Sequence, residues 1–111
     1  MTDDEPRRTL IGGEQIYPSH REPLADGGGM QRGYVVLAEE ELAKGFVRPV
    51  RQKYTHLKCK TVTHMHLELA QTYARQPGFY SGTYCVGCGG HFPVGADGEF
   101  VWDGTDEKVG T

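Results

Sequence analysis

The sequence predicts an α+β fold, a small domain of short antiparallel strands with one inserted helix and a flexible N-terminal arm. Only 37% of the 111 residues are hydrophobic, so the core must be small. The 16 Gly and 6 Pro interrupt the apolar runs and limit strands to a few residues. Two motifs of metal-ligand type, His56-x2-Cys59 and Cys85-x2-Cys88, lie on either side of the best helical segment.

The arm is predicted over residues 1–33 and the domain over residues 34–111. Six Gly, three Pro and no stable apolar period leave the arm too little apolar surface to offset the entropy lost on ordering. Two short apolar pairs, at residues 10–11 and 16–17, are the exception. They could dock on the domain or on a partner.

The first elements of the domain are short. Residues 34–37 are aromatic and β-branched, which predicts a buried strand. Residues 38–44 favour one or two turns of helix, which Gly45 would end. Pro49 disfavours helical backbone just before it, and residues 50–57 are expected to be extended.

The main helix is predicted over residues 63–76. Thr63 is placed to cap the first free amides of this helix. Its apolar residues Leu69, Ala70 and Tyr73 fall on one helical face, and the Pro-Gly pair that follows ends it. We therefore expect this face to contact the core.

Strands are predicted on both sides of the second cysteine motif. Residues 79–80 and 83–84 lead into it as strand. Residues 92–94 and 99–102 flank the four loop residues Gly-Ala-Asp-Gly, a pattern that predicts a hairpin. A turn at residues 103–104 then precedes a short tail.

The cysteines carry the clearest chemical signal. Three is an odd number, which argues against a disulfide framework. In each motif two ligand-type side chains stand three positions apart, so both can point at one cation from a tight turn. Together the motifs supply one nitrogen and three sulfurs, a known set for structural Zn²⁺. The 25 residues between them exceed the usual separation of roughly 15–20, and the helix accounts for the excess as an insertion.

Other interpretations of the cysteines remain open. They could be small apolar side chains in the core, or Cys85 and Cys88 could form a redox dithiol. The Gly-Gly pair after Cys88 does not favour a helix that would lower a thiol pKa, which argues against the dithiol. Zinc is favoured over iron, because a mononuclear iron–sulfur site of this shape takes four thiolates.

The fourth ligand is less certain than the three sulfurs. His56 is favoured, with His91, His64, His66, a water or a carboxylate as alternatives. Residues two apart do not share a helix face, so a second metal or a catalytic pair at His64 and His66 is the less favoured interpretation.

Charge is distributed unevenly along the chain. The net charge of −3 excludes a globally basic nucleic-acid coat. No acid lies between residues 42 and 67, whereas residues 97–107 contain five acids and no base. The middle segment contains six bases: Lys44, Arg48, Arg51, Lys53, Lys58 and Lys60. These bases form either a surface that is solvated or paired with acids of the same chain, or a surface that binds a partner.

The sequence also bears on location. The N-terminus is acidic and polar, unlike a secretory signal or a basic transit peptide. No apolar run approaches the roughly 18 residues that a membrane span needs. We therefore expect a cytoplasmic protein that does not interact with membranes.

Four motifs in the second half of the chain form a recognisable set: His56-x2-Cys59, Ala70-x2-Tyr73-Ala74-Arg75-x-Pro77-x2-Tyr80, Tyr84-Cys85-x2-Cys88-x2-His91-x-Pro93 and Glu99-Phe100-x-Trp102-Asp103-Gly104. The set resembles zinc-ribbon domains and small uncharacterised proteins encoded by bacteriophages and prophages. The resemblance begins at about Phe46. It implies a zinc-stabilised docking module for nucleic acid or for transcription and replication proteins, in the host cytoplasm if the chain is phage-encoded.

The expected function is that of a non-catalytic binding module with one structural Zn²⁺. A protein partner is favoured over nucleic acid because the net charge is negative, although the bases beside the first motif could meet an anionic partner. The alternative is an enzyme. It would be either a dithiol oxidoreductase using Cys85 and Cys88, or a metal-dependent hydrolase using His64, His66 or His91.

Overall fold

The computed structural model describes residues 8–13, 15–16, 31 and 33–111. Within them the chain forms two helices and seven short strands, and every strand pair is antiparallel. The predicted α+β class is confirmed. Most of the predicted arm, including residues 1–7 and 17–30, lies outside the described residues.

A two-stranded sheet joins part of the predicted arm to the start of the domain. Strand β1 (Arg8–Leu10) pairs with β2 (Val35–Leu37), and Leu10 is opposite Val35. The sequence predicts β2 but no strand over β1. Leu10 is only 2% exposed, so the apolar pair at residues 10–11 is long enough to bury one side chain and add a strand. Helix α1 (Glu39–Leu42) follows as predicted.

The central sheet has the order β4-β3-β7, with β3 (Lys53–His56) between β4 (Val62–His64) and β7 (Phe100–Trp102). Tyr54 is in register with Thr63 on one side and Trp102 on the other. A separate ribbon pairs β5 (Gly82–Cys85) with β6 (Gly90–Pro93). Helix α2 (Leu67–Arg75) connects the sheet to the ribbon.

The predicted start of the main helix is wrong by four residues. Thr63 belongs to β4, where its β-branched side chain suits the pairing with Tyr54. The helix cap is instead His66, whose side-chain Nδ1 accepts a hydrogen bond from the Glu68 amide at 3.2 Å. The predicted apolar face is confirmed, because Ala70 and Tyr73 are buried.

The predicted hairpin over residues 92–102 is also wrong. The turn itself forms, with the Gly98 amide donating to the Gly95 carbonyl at 2.9 Å. The strands on either side then separate, because β6 pairs with β5 whereas β7 pairs with β3. The two strands therefore belong to different sheets.

The core lies between α2, the central sheet and the C-terminal tail. Four of the eight buried residues of the core cluster are aromatic, and their rings pack edge to face, such as Tyr73 on Trp102 at 5.6 Å and Tyr54 on Phe100 at 5.4 Å between ring centroids. The tail turns back along β7, and Val109 is fully buried. Neither helix in the described part of the chain is long and apolar enough to cross a membrane.

Candidate metal centre

The structure brings together the four predicted ligands. His56 ends β3 and Cys85 ends β5, and Cys59 and Cys88 lie in the turns that follow. All four ligand atoms lie within 4.8 Å of one another. His56 Nδ1 is 3.3 Å from Cys59 Sγ and 3.5 Å from Cys88 Sγ, and Cys59 Sγ is 3.5 Å from Cys85 Sγ. The cluster could hold a metal ion.

The two ligand pairs occupy equivalent turns, which we call the first knuckle (residues 56–60) and the second knuckle (residues 85–89). The Lys60 amide donates to the His56 carbonyl at 2.7 Å, and the Gly89 amide donates to the Cys85 carbonyl at 2.8 Å. The last residue of each knuckle has a left-handed backbone conformation, with φ of 64° at Lys60 and 68° at Gly89. Each turn thus directs two ligand atoms to the same side.

The second knuckle approaches the residues that follow the first one. A Cβ added at Gly87 would lie 2.8 Å from the Cβ of Thr61 and 3.0 Å from its Cγ2, so only glycine permits this approach. The neighbouring Val86 amide donates to Thr63 Oγ1 in β4 at 3.1 Å. The ligand cluster forms beside these contacts.

His56 is held rigidly. Its ring is 1% exposed and is stacked between Phe92 and Phe100, with a centroid separation of 4.7 Å on each side. Its Nε2 lies 2.8 Å from Glu99 Oε1. A proton on Nε2 is donated to this carboxylate and leaves the Nδ1 lone pair directed at the sulfurs, the arrangement of a histidine metal ligand with a carboxylate behind it. Lys58 lies 3.5 Å from the other oxygen of Glu99.

The cysteine thiols of the cluster differ in pKa because their surroundings differ. Hydrogen bonds from the side chain and backbone of Thr61 lower the pKa of Cys59 to about 6. The hydrogen bond with Cys59, together with burial and the neighbouring thiol charges, raises the pKa of Cys88 to about 11. The pKa of Glu99 is lowered, chiefly by its hydrogen bond from His56. Crowding of the thiols opposes full ionisation, and a bound cation relieves this repulsion.

The alternative histidine ligands lie elsewhere. His64 is exposed at the end of β4, and His66 caps α2. His91 Nε2 is 2.9 Å from the hydroxyl of Tyr34, and burial lowers the His91 pKa. Among the described residues, only His56 joins the three cysteines in the cluster.

The six bases of the middle segment are spread over the surface. Three form ion pairs: Lys44 with Glu41 at 2.9 Å, Arg51 with Glu107 at 3.3 Å and Lys58 with Glu99 at 3.5 Å. The Arg48 side chain donates to two backbone carbonyls. Lys53 is exposed at the start of β3, and Lys60 is exposed at the end of the first knuckle.

Sequence reasoning did not assign the residues that support His56. Glu99 and the two stacking phenylalanines are distant from it along the chain, and the pairing of β7 with β3 brings Phe100 opposite His56. The only local signal in the sequence was the position of the acidic residue Glu99 directly before the apolar strand β7.

Comparison of the chain with protein-family models, with curated proteins and with solved structures finds no match in any of the three. Function is therefore inferred from the geometry of the cluster.

Proposed function

We propose that the protein is a non-catalytic binding module whose fold is stabilised by one structural Zn²⁺ held by His56, Cys59, Cys85 and Cys88. The observation that carries the proposal is the convergence of one nitrogen and three sulfurs from two equivalent knuckles. Paired knuckles of this kind support the zinc-ribbon interpretation, whereas the resemblance to phage-encoded proteins rests on the sequence motifs alone.

Three of the six separations between ligand atoms are near those of a zinc site, and none of the six exceeds 4.8 Å. With bonds of about 2.3 Å to sulfur and 2.0–2.1 Å to nitrogen, tetrahedral geometry separates two sulfurs by about 3.8 Å and nitrogen from sulfur by about 3.5 Å. The separations of 3.3, 3.5 and 3.5 Å lie close to these values. Three thiolates and one imidazole are soft and intermediate ligands, which favours zinc over magnesium or calcium.

A structural role fits the ligand count better than a catalytic one. Catalytic zinc sites usually have three protein ligands and leave the fourth position for water or substrate, whereas structural sites have four. Here the fourth position is taken by His56, which is packed between two rings and therefore cannot swing away readily.

A protein is the favoured partner. The net charge is −3, and three of the six bases in the middle segment are paired with acids, which weakens attraction to a phosphate backbone. Beside the knuckles, Val62 and Val86 are 38% and 57% exposed. An exposed valine on the second knuckle and another at the start of the adjoining β4 suit contact with an apolar protein surface.

Metal analysis combined with thiol titration tests the structural site. The protein is purified without a histidine tag or added metal, and its thiols are titrated under native conditions. We expect one zinc per chain and three protected thiols. Absence of metal with two rapidly reacting thiols would instead support a dithiol oxidoreductase, and X-ray absorption that shows water in the zinc shell would support a hydrolase.

Nucleic-acid binding is the alternative and has its own test. Fluorescent DNA and RNA are titrated with the zinc-loaded protein at low and physiological salt. Binding that falls steeply with salt, and falls further when Arg48, Arg51 and Lys53 are changed to Gln, would overturn the choice of a protein partner.

A further inference from the structure

Strand β4 is an edge of the central sheet, and no strand in the described part of the chain pairs with its outer side. The opposite edge of the sheet, on β7, is taken by the C-terminal tail. There the Trp102 amide donates to the Glu107 carbonyl at 3.0 Å, and the Val109 amide donates to the Phe100 carbonyl at 3.1 Å. The two edges of the sheet therefore differ, and only the edge at β4 is open to a further strand.

The hydrogen bonds between β4 and β3 determine which backbone groups of β4 point outward. The Thr61 carbonyl accepts a hydrogen bond from the last residue of β3 at 3.0 Å, and the Met65 amide donates to the residue before β3 at 2.7 Å. Alternate residues of an antiparallel strand bond to the same neighbour. Val62 and His64, which alternate with these residues, therefore direct their amides and carbonyls away from β3.

These outward groups are available to a partner. Val62 is 38% exposed, and His64 is exposed as well. Each residue has one amide and one carbonyl on this side, and none of these groups makes a hydrogen bond with a residue that the structure describes. Unpaired backbone groups on an exposed edge strand form a template for a further strand. Addition of a strand to such an edge is a recurring mode of peptide recognition.

The side chains beside this edge are basic. Lys53 is in register with His64 on the exposed face of the sheet, and Lys60 is exposed just before β4. The middle segment itself contains no acid. The carboxylate of Asp103 lies after β7, on the other side of β3, where it accepts a hydrogen bond from Thr55 at 3.3 Å. A strand with acidic side chains would therefore meet complementary charge at β4.

The opposite face of the same edge is apolar. Val86 is 57% exposed, and its amide donates at 3.1 Å to the side chain of Thr63, which points to the buried face of β4. Successive side chains of a strand point to opposite faces of the sheet. A segment that alternates acidic and apolar residues would thus place acids beside Lys53 and apolar side chains beside Val86.

We propose that the outer edge of β4 binds an extended acidic segment of a partner protein, which joins the central sheet as a further strand. Val62 and His64 supply the backbone hydrogen bonds, Lys53 and Lys60 face the acidic side chains, and Val86 contacts the apolar ones. The choice of a protein partner rests on the proposed function, which this proposal deepens by naming the docking edge and the chemistry of the partner.

A blocked peptide that alternates glutamate with valine is the probe, and the same peptide with lysine in place of glutamate is its matched control. Each is titrated into the full-length, zinc-loaded protein, and amide hydrogen exchange is followed by NMR. We expect the glutamate peptide to slow exchange at Val62 and His64, whereas the Met65 amide, which is already bonded within the sheet, should not change. The lysine peptide should bind about tenfold more weakly. Unchanged exchange at Val62 and His64, or equal affinity for the two peptides, overturns the proposal.

Two substitutions at His64 test the backbone contact. Proline removes the outward amide but no hydrogen bond of the sheet, and proline is tolerated on edge strands with its nitrogen toward solvent. We expect His64→Pro to weaken binding of the glutamate peptide about two- to tenfold, and His64→Ala, which keeps the amide, to bind it as the unchanged protein does. Equal affinities of the two variants overturn strand addition. If His64→Pro does not fold, the exchange at Val62 and His64 in the unchanged protein decides.

Zinc content, measured on the same sample, separates this proposal from the proposed function. One zinc per chain without peptide binding overturns the edge site alone, whereas absence of zinc overturns the structural metal site. Analytical ultracentrifugation of the protein without peptide tests the other occupant of the edge. A dimer in which the amides of Val62 and His64 are already protected would show that a second copy of this chain fills the edge, and this would overturn the choice of an acidic partner.

Discussion

At the scale of single residues, Glu99 is the group on which the imidazole ligand depends. It accepts the hydrogen bond from His56 Nε2 at 2.8 Å, which fixes the tautomer that leaves Nδ1 free to bind metal. We predict that Glu99→Ala lowers zinc affinity about 10- to 100-fold with little change of fold. Competition with a chromophoric chelator measures this loss.

The control for Glu99 is Asp97→Ala, which removes a nearby exposed carboxylate that does not contact the cluster. Zinc affinity should be unchanged in this variant. Equal losses in both variants would mean that general negative charge, rather than the contact with His56, supports the site.

Gly87 is the second residue whose substitution has a specific expected effect on stability. An added methyl group would lie 2.8 Å from the Cβ of Thr61 and closer still to its Oγ1, and it would push the second knuckle away from Thr61. We predict that Gly87→Ala lowers the free energy of unfolding by about 1–3 kcal/mol in urea denaturation of the zinc-bound protein. Gly78→Ala is the matched control, because nothing lies within 4 Å of a Cβ at that position. If the two variants unfold alike, the second knuckle is not in close contact with Thr61.

The candidate metal ligands were more predictable from the sequence than the residues that hold these ligands in place. Cys85 and Cys88 are three apart, so the turn that unites them is local and visible in the sequence. Glu99 lies 43 residues from His56, and only the pairing of distant strands brings them together. Similarly, nothing in the isolated tail sequence indicates that Val109 becomes fully buried.

At the scale of elements, the two knuckles share a backbone conformation but differ in the residue that adopts it. The left-handed position is Gly89 in the second knuckle, where it has no steric cost, and Lys60 in the first, where a side chain makes it costly. We predict that Lys60→Gly stabilises the zinc-bound protein by up to about 1 kcal/mol, and that Gly89→Ala destabilises it by about 1–2 kcal/mol. Urea denaturation measures both changes.

Lys60→Ala separates this backbone effect from loss of the lysine charge. It removes the charged side chain but keeps the steric cost of the left-handed conformation, so its stability should remain close to that of the unchanged protein. A Lys60→Gly variant no more stable than Lys60→Ala would contradict the assignment of strain to the first knuckle.

Helix and strand types followed from the sequence wherever the signal was local. The apolar face of α2 was predicted because its period lies within a single segment. The start of α2 was not predicted correctly. Thr63 is a good capping residue, but its pairing with β3 places it in β4 instead. The pairing of β7 with β3 rather than with β6 was missed for the same reason.

At the scale of the whole molecule, the ligand cluster lies between two separate sheets, which also contact each other through Tyr54, Thr83 and the Val86 amide. β3 supplies His56 to it, β5 supplies Cys85, and the two strands belong to different sheets. The core beneath them is small, and half of its buried residues are aromatic. Structural zinc sites contribute roughly 10–16 kcal/mol in small domains, comparable with or larger than the 5–15 kcal/mol stability of a typical protein.

We therefore predict that loss of a ligand unfolds residues 46–102 as one unit. Cys85→Ser and Cys88→Ser should lose native circular dichroism and the cooperative melting transition, and a strong zinc chelator should do the same to the unchanged protein. Val86→Ser is the control, because it places serine in the same knuckle at an exposed position without removing a ligand. Restored zinc should refold the chelated protein but neither cysteine variant. A native-like spectrum and melting curve for either cysteine variant would show that the aromatic core holds the two sheets together without the metal.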